Sequence, residues 1–170
     1  MTRKPGFVTR SEPIAFFLTW TTYGSWLPGD SRGWTDGRGH RRAAEPARML
    51  QARRLLAECT LTMGVHQQSV VADVIATHCN IRGWTLHAIS CRPQHVHVVV
   101  TAVGVSPDGV LTQFKTWASR RLKEGCVGDR NRSRRMRWWT EGGSKRWIYD
   151  VAELGAVVTY VTECQDKPRN

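Results

Sequence analysis

Residues 84–102 constrain the fold more than any other stretch: "WTLHAISC", then "RPQ", then "HVHVVVTA". Both runs are rich in β-branched residues, and the three residues between them are too few for a crossover connection. The runs must therefore be neighbouring antiparallel strands. Successive side chains on a strand point to opposite faces, so His95 and His97 share one face while Val96, Val98 and Val100 share the other. A strand otherwise built of valine thus offers two imidazoles to one side. Either hydrogen bonds at a sheet edge satisfy them, or they converge on a ligand. Two histidines at i and i+2 form half of a divalent-metal site, and the chain must supply the rest.

The remaining pattern surrounds this pair with helices. "IAFFLTWTT" (14–22) predicts a strand, and "YGSWLPGDSRGWTDGRG" predicts a long Gly/Pro-punctuated loop. Helices are expected over 45–59 and 67–83, the second stopped by Gly83. A third, over 106–125, has an apolar side running through Leu111, Phe114, Trp117, Ala118 and Leu122. "RWWTEGGSKRWIY" predicts a hairpin turning at Glu141-Gly142-Gly143, and a last helix starts at Asp150 with Glu153 at capping-box spacing. This order is α+β: an antiparallel sheet covered by helices. A single domain is expected over 1–170, with 1–13 flexible and no internal repeat.

Charge narrows the partner. The net charge is +11, and a compact chain that tolerates such self-repulsion is expected to meet an acidic polymer. Anionic membrane is the other candidate, but no apolar run approaches the ~20 residues of a span and the N-terminus lacks a signal-peptide core. Five cysteines, an odd number with no C-x-x-C pair, argue against a disulfide framework or structural zinc and for a reducing cytoplasm. Residues 113–150 hold 11 Lys and Arg against four acidic residues, interleaved with Trp117, Trp138, Trp139 and Trp147. Phosphate-binding cations beside stacking aromatics suit unpaired bases. The expected nucleic-acid contacts are Lys115, Arg120, Arg121, Arg132, Arg134, Arg135, Arg137, Trp138, Lys145 and Arg146, with Trp117 assigned to the core.

The last helix carries the remaining chemistry. Leu154, Val157, Val158 and Val161 form one apolar stripe that must face the sheet, with Tyr160 on its flank. Gln165 projects roughly 20° from Leu154, and Glu163 points almost the opposite way. A phenol, with its pKa of ~10, is a weak nucleophile. Beside a metal that polarises a phosphoryl oxygen it becomes competent toward a phosphodiester. The phosphotyrosine ester so formed keeps the energy of the broken bond, so rejoining to a new 3′-hydroxyl needs no ATP.

Four separated motifs, "FFLTWTTYGSWLPGDSRGW", "PQHVHVVV", "WWTEGGSKRWI" and "YVTECQD", resemble those of the REP-associated tyrosine transposases, a branch of the HUH single-tyrosine transposases. The resemblance runs from about residue 14 to 166. It implies a ferredoxin-like antiparallel sheet with the histidine pair on a central strand, Mg²⁺ or Mn²⁺ as cofactor, and Tyr160 as nucleophile. It implies hairpin-containing single-stranded DNA as substrate, cleaved and rejoined through a 5′-phosphotyrosine, in the cytoplasm at the nucleoid. Gln94 stands where relatives often have asparagine, with little consequence expected. Cys164 stands where relatives often have a third metal ligand, and its thiol suits Mg²⁺ poorly. Gln165 is therefore the expected third ligand, with Glu163 in reserve. Two other readings stay open: a non-catalytic hairpin DNA- or RNA-binding protein, and a replication-initiator or relaxase-type nickase. Monomer or homodimer also stays open.

Overall fold

The computed structural model describes residues 12–36, 38–125 and 135–163. In chain order the elements are β1 (Ala15–Thr21), β2 (Trp34–Thr35), β3 (Arg41–Arg42), α1 (Pro46–Arg54), α2 (Val65–Arg82), β4 (Thr85–Cys91), β5 (His95–Thr101), α3 (Pro107–Glu124), β6 (Ser144–Ile148) and α4 (Val151–Glu163). β2 and β3 form a two-stranded ribbon, and the other four strands form one antiparallel sheet in the order β4-β5-β1-β6. With the ribbon and α1 set aside, the sequence β1-α2-β4-β5-α3-β6 is the β-α-β-β-α-β pattern of ferredoxin-like folds. The histidine strand β5 is interior, between β4 and β1.

Strand alternation divides the core in two. Phe16, Leu18 and Trp20 of β1 and Val96, Val98 and Val100 of β5 pack with α2 (Val71, Ile75) and α3 (Val110, Leu111, Phe114, Ala118, Leu122). The opposite face supplies Ala15, Ala88, Val99 and Ile148, which pack with Val157 and Val161 of α4. The helix α4 therefore covers the histidine face alone, and the other two large helices cover the reverse.

Local chemistry sets the helix ends. Ser106 Oγ accepts the Gly109 N–H at 3.2 Å and Pro107 opens α3. Gly83 closes α2 in the left-handed region, φ 65°. Asp150 Oδ1 accepts the Glu153 N–H at 2.7 Å, as expected of an N-cap. The Glu153 carboxylate, however, accepts from the Tyr149 N–H and from Arg146, so the return half of a capping box is not made.

Two expectations are corrected. The hairpin at 137–149 does not form: β6 pairs with β1 (Thr19 opposite Ser144), and Trp139 bridges Thr22 of the same strand line. Three steps along one chain are matched by five along the other, so Glu141-Gly142-Gly143 is a bulge rather than a turn. The half-buried Lys115 Nζ holds this bulge by donating to Thr140 O (2.7 Å) and Gly142 O. Gly143 is required there, since a Cβ would sit 2.8 Å from Thr19 O. The second correction is Trp117, which is 44% exposed instead of core. Its side of α3 faces an open groove against α2, where it lies beside His78 and Arg120.

Cys59, Cys79 and Cys91 are free thiols, and burial pushes Cys91 up to about 12. Among the described residues no helix is long and apolar enough to cross a membrane.

Candidate functional site

Antiparallel pairing of β1 with β5 sets Thr19 opposite His97 and Thr21 opposite His95, while Ser90 of β4 flanks His97 from the other side. These side chains line the sheet face on which α4 packs. The two imidazole rings lie 4.8 Å apart, inclined at 75°. Thr19 Oγ1 is 2.7 Å from His97 Nδ1, and Phe17 stacks on the His97 ring at 5.6 Å. Val157 and Val161 anchor α4 to the sheet, and this turns Tyr160 onto the flank of the helix. Its ring stands edge-on to both His97 and Phe17, at 6.2 Å in each case. Tyr160 stays 37% exposed, so a polymer arriving from solvent can reach it. His95, His97 and Tyr160, expected from separate signals, thus share one site.

The electrostatics suit ligation. His97 is 9% exposed, and burial, reinforced by His95 and Arg92, lowers its pKa to about 4. The ring is neutral at pH 7 and keeps a lone pair. With Thr19 on Nδ1, Nε2 is the nitrogen left to a ligand. Two imidazoles on one face, one of them buried, neutral and fixed, fit half of a divalent site. Among the described residues no third His, Cys, Asp or Glu gathers with them. Glu163, the expected reserve ligand, is exposed at the end of α4. Gln165 and Cys164 lie outside the described residues.

The expected nucleic-acid contacts divide sharply. Trp138 is 4% exposed and packs in the main core, with its remaining surface bordering the cleft described below. Lys115 is committed to the bulge carbonyls, where burial lowers its pKa to about 8. Arg135 donates to Cys59 O at 2.7 Å and pairs with Glu58, a bond internal to the fold. Lys145 pairs with Asp108 (2.5 Å), Arg146 with Glu153 (2.6 Å) and Arg121 with Glu124 (3.1 Å). Arg120 lies over Trp117, and Arg137 lies over Tyr23. Arg120 and Arg121 line the α2–α3 groove, on the sheet face away from the histidines. Arg132 and Arg134 lie outside the described residues.

Two features escaped sequence reasoning. Thr19 is the first, although its polarity at an alternate position of an aromatic strand was a usable signal. The second is an open cleft of about 620 Å³ whose lining includes Tyr23, Trp26, Met136, Arg137, Trp139 and Glu141. Asp30 accepts two hydrogen bonds from the Arg32 guanidinium, both at 2.8 Å, and this pair holds its carboxyl below the usual range. Trp26 Nε1 donates to Gly33 O, so "GSWLPGDSRGW" is a braced loop forming one wall. Thr21 Oγ1 donates to Thr140 Oγ1 at 3.0 Å, which joins the cleft to the His95 end of the sheet.

No family model matches the chain, and no curated protein does. Among solved structures it is similar to a REP-associated tyrosine transposase bound to a REP hairpin, with TM-score 0.50 and 11% identity, over 93% of this chain and 70% of that one. It is also similar to a candidate transposase from Deinococcus radiodurans, with TM-score 0.47 and 13% identity, over 95% of both chains. At such identity the first likeness shows a shared fold.

Proposed function

We propose that the chain is a transposase that cleaves and rejoins hairpin-containing single-stranded DNA through a 5′-phosphotyrosine. The observation carrying this reading is the convergence of His95, His97 and Tyr160 on one sheet face, with the tyrosine exposed. The similar structure is itself a transposase bound to a REP hairpin, which supports a DNA hairpin as the substrate class. The two histidines would hold Mg²⁺ or Mn²⁺, with Gln165 as the proposed third ligand. When bound, the ion withdraws charge from a phosphoryl oxygen and favours attack at phosphorus.

The protein's own part is positional. His97, wedged between Thr19 and Phe17, gives the site a fixed wall. Tyr160 stands against that wall and attacks from α4: the phenolic oxygen bonds to phosphorus as the bond to O3′ breaks. The phenol gives up its proton and the departing O3′ gains one. A second 3′-hydroxyl later reverses the exchange and frees the tyrosine. Unpaired bases beside the hairpin enter the Tyr23–Trp26–Trp139 cleft, whose lining includes Arg137 to meet phosphate.

The test is incubation with a labelled hairpin oligonucleotide carrying unpaired flanks, with Mg²⁺ or Mn²⁺, on a denaturing gel. A covalent protein–DNA adduct is expected. A retarded complex on a native gel with no adduct would assign the chain to non-catalytic hairpin binding. Binding should weaken steeply with salt through counterion release. Equal affinity for a blunt duplex and the flanked hairpin would count against the single-strand substrate.

A further inference from the structure

Thr19 and His97 are direct partners across the β1–β5 pair, and their side chains meet at 2.7 Å on the face that carries Tyr160. A neutral imidazole exists in two forms, and a hydroxyl can satisfy either. It accepts from Nδ1–H, leaving the lone pair on Nε2, or it donates to a bare Nδ1, leaving the proton on Nε2. Only the first form can bind a ligand through Nε2. We propose that Thr19 is a positioning residue whose hydroxyl accepts the Nδ1–H of His97, holding the ring in the form that presents its Nε2 lone pair.

The surroundings favour a fixed partner over a chance contact. Thr19 is β-branched, so few side-chain rotamers are open to it. Its backbone is tied on both sides, paired with His97 in β5 and with Ser144 in β6. Gly143 of the bulge lies against the same residue, close enough that a Cβ there would sit 2.8 Å from Thr19 O. Phe17, two residues earlier on the same face, stacks on the His97 ring and opposes its rotation. Neighbours that fix the protonated nitrogen of a ligating histidine typically change metal affinity about 10–100-fold when removed.

This inference rests on the reading that the histidine pair holds a divalent ion, so its test has two separable readouts. The first is the ¹⁵N spectrum of the histidine rings in the metal-free full chain at neutral pH. His97 should carry its proton on Nδ1 in the wild type and in Thr19→Ser, and lose that preference in Thr19→Val, which keeps the shape without the acceptor. The second is Mn²⁺ affinity, which should fall about tenfold or more in Thr19→Val and return in Thr19→Ser. A wild-type His97 protonated on Nε2, or one whose form is unchanged in Thr19→Val, overturns the proposal. The wild-type measurement alone decides if the valine variant fails to fold. The expected change of form in a chain that binds no Mn²⁺ would support the role of Thr19 and sink the metal reading instead.

Discussion

Replacing Tyr160 by phenylalanine separates chemistry from packing. The substitution removes one oxygen and keeps the ring, so both edge-on contacts at 6.2 Å, to His97 and Phe17, survive. The residue is 37% exposed, and stability should move by no more than about 0.5 kcal/mol, the scale of surface substitutions. Hairpin affinity should stay within about 1 kcal/mol, or roughly fivefold in Kd, since at most one neutral hydrogen bond is lost. The covalent adduct should vanish. Tyr160→Ala also abolishes the adduct, but it removes two ring contacts worth about 0.5–1.5 kcal/mol each and should lower stability by about 1–3 kcal/mol. Tyr23 and Tyr149 are the other tyrosines of the chain and supply the controls. Tyr23→Phe deletes the acceptor of the Ala57 N–H (3.1 Å) and should cost about 1 kcal/mol of stability without touching the adduct. Tyr149 is exposed beside the start of α4, and its phenylalanine variant should behave as wild type. The assay is a denaturing gel with labelled hairpin, read beside thermal unfolding. An adduct that persists in Tyr160→Phe and disappears in Tyr23→Phe or Tyr149→Phe would refute the mechanism.

Loss of either histidine, as His95→Ala or His97→Ala, should stop cleavage and leave most DNA binding, because ligation and phosphate contact are separate interactions. EDTA should reproduce the effect, and cleavage that survives EDTA would reduce the pair to hydrogen-bonded sheet residues. Gln165→Ala should impair cleavage more than Glu163→Ala, and the opposite order in a rate measurement would reassign the third ligand. Burial chiefly holds Lys115 down to about 8, with Lys145 lowering it further and Glu141 opposing. Between pH 8 and the ordinary 10.5 the unfolded chain therefore keeps a proton that the folded chain has released, and stability should rise with pH across that window. Denaturant unfolding of Lys115→Met should lack this rise, and an identical slope in both proteins would assign it to other groups.

Period-two and helical patterning determined, from local geometry alone, that His95 and His97 share a face and that Tyr160 flanks an apolar stripe. Both statements depend only on how side chains leave a strand or a helix, and neither needs a partner. The hairpin at 137–149 failed for the opposite reason. Two Gly residues after Glu141 look alike in a turn and a bulge, and the choice was made by β1, which takes Trp139 and Ser144 on one edge, and by Lys115 reaching across from α3. The burial of Trp117 and Trp138 ran opposite to expectation on the same ground. Helical spacing puts Trp117 at the margin of an apolar arc, but whether that margin is covered depends on how α2 lies against α3. The surplus of arginine raised the expectation of an acidic partner, yet which cations are tied up within the fold was decided by contacts distant in sequence, such as Arg135 on Cys59 O. Thr19 shows the division most simply. Alternation shows its polarity, but only the register of β1 on β5 sets its hydroxyl 2.7 Å from His97, because strand pairing fixes distances that no single strand contains.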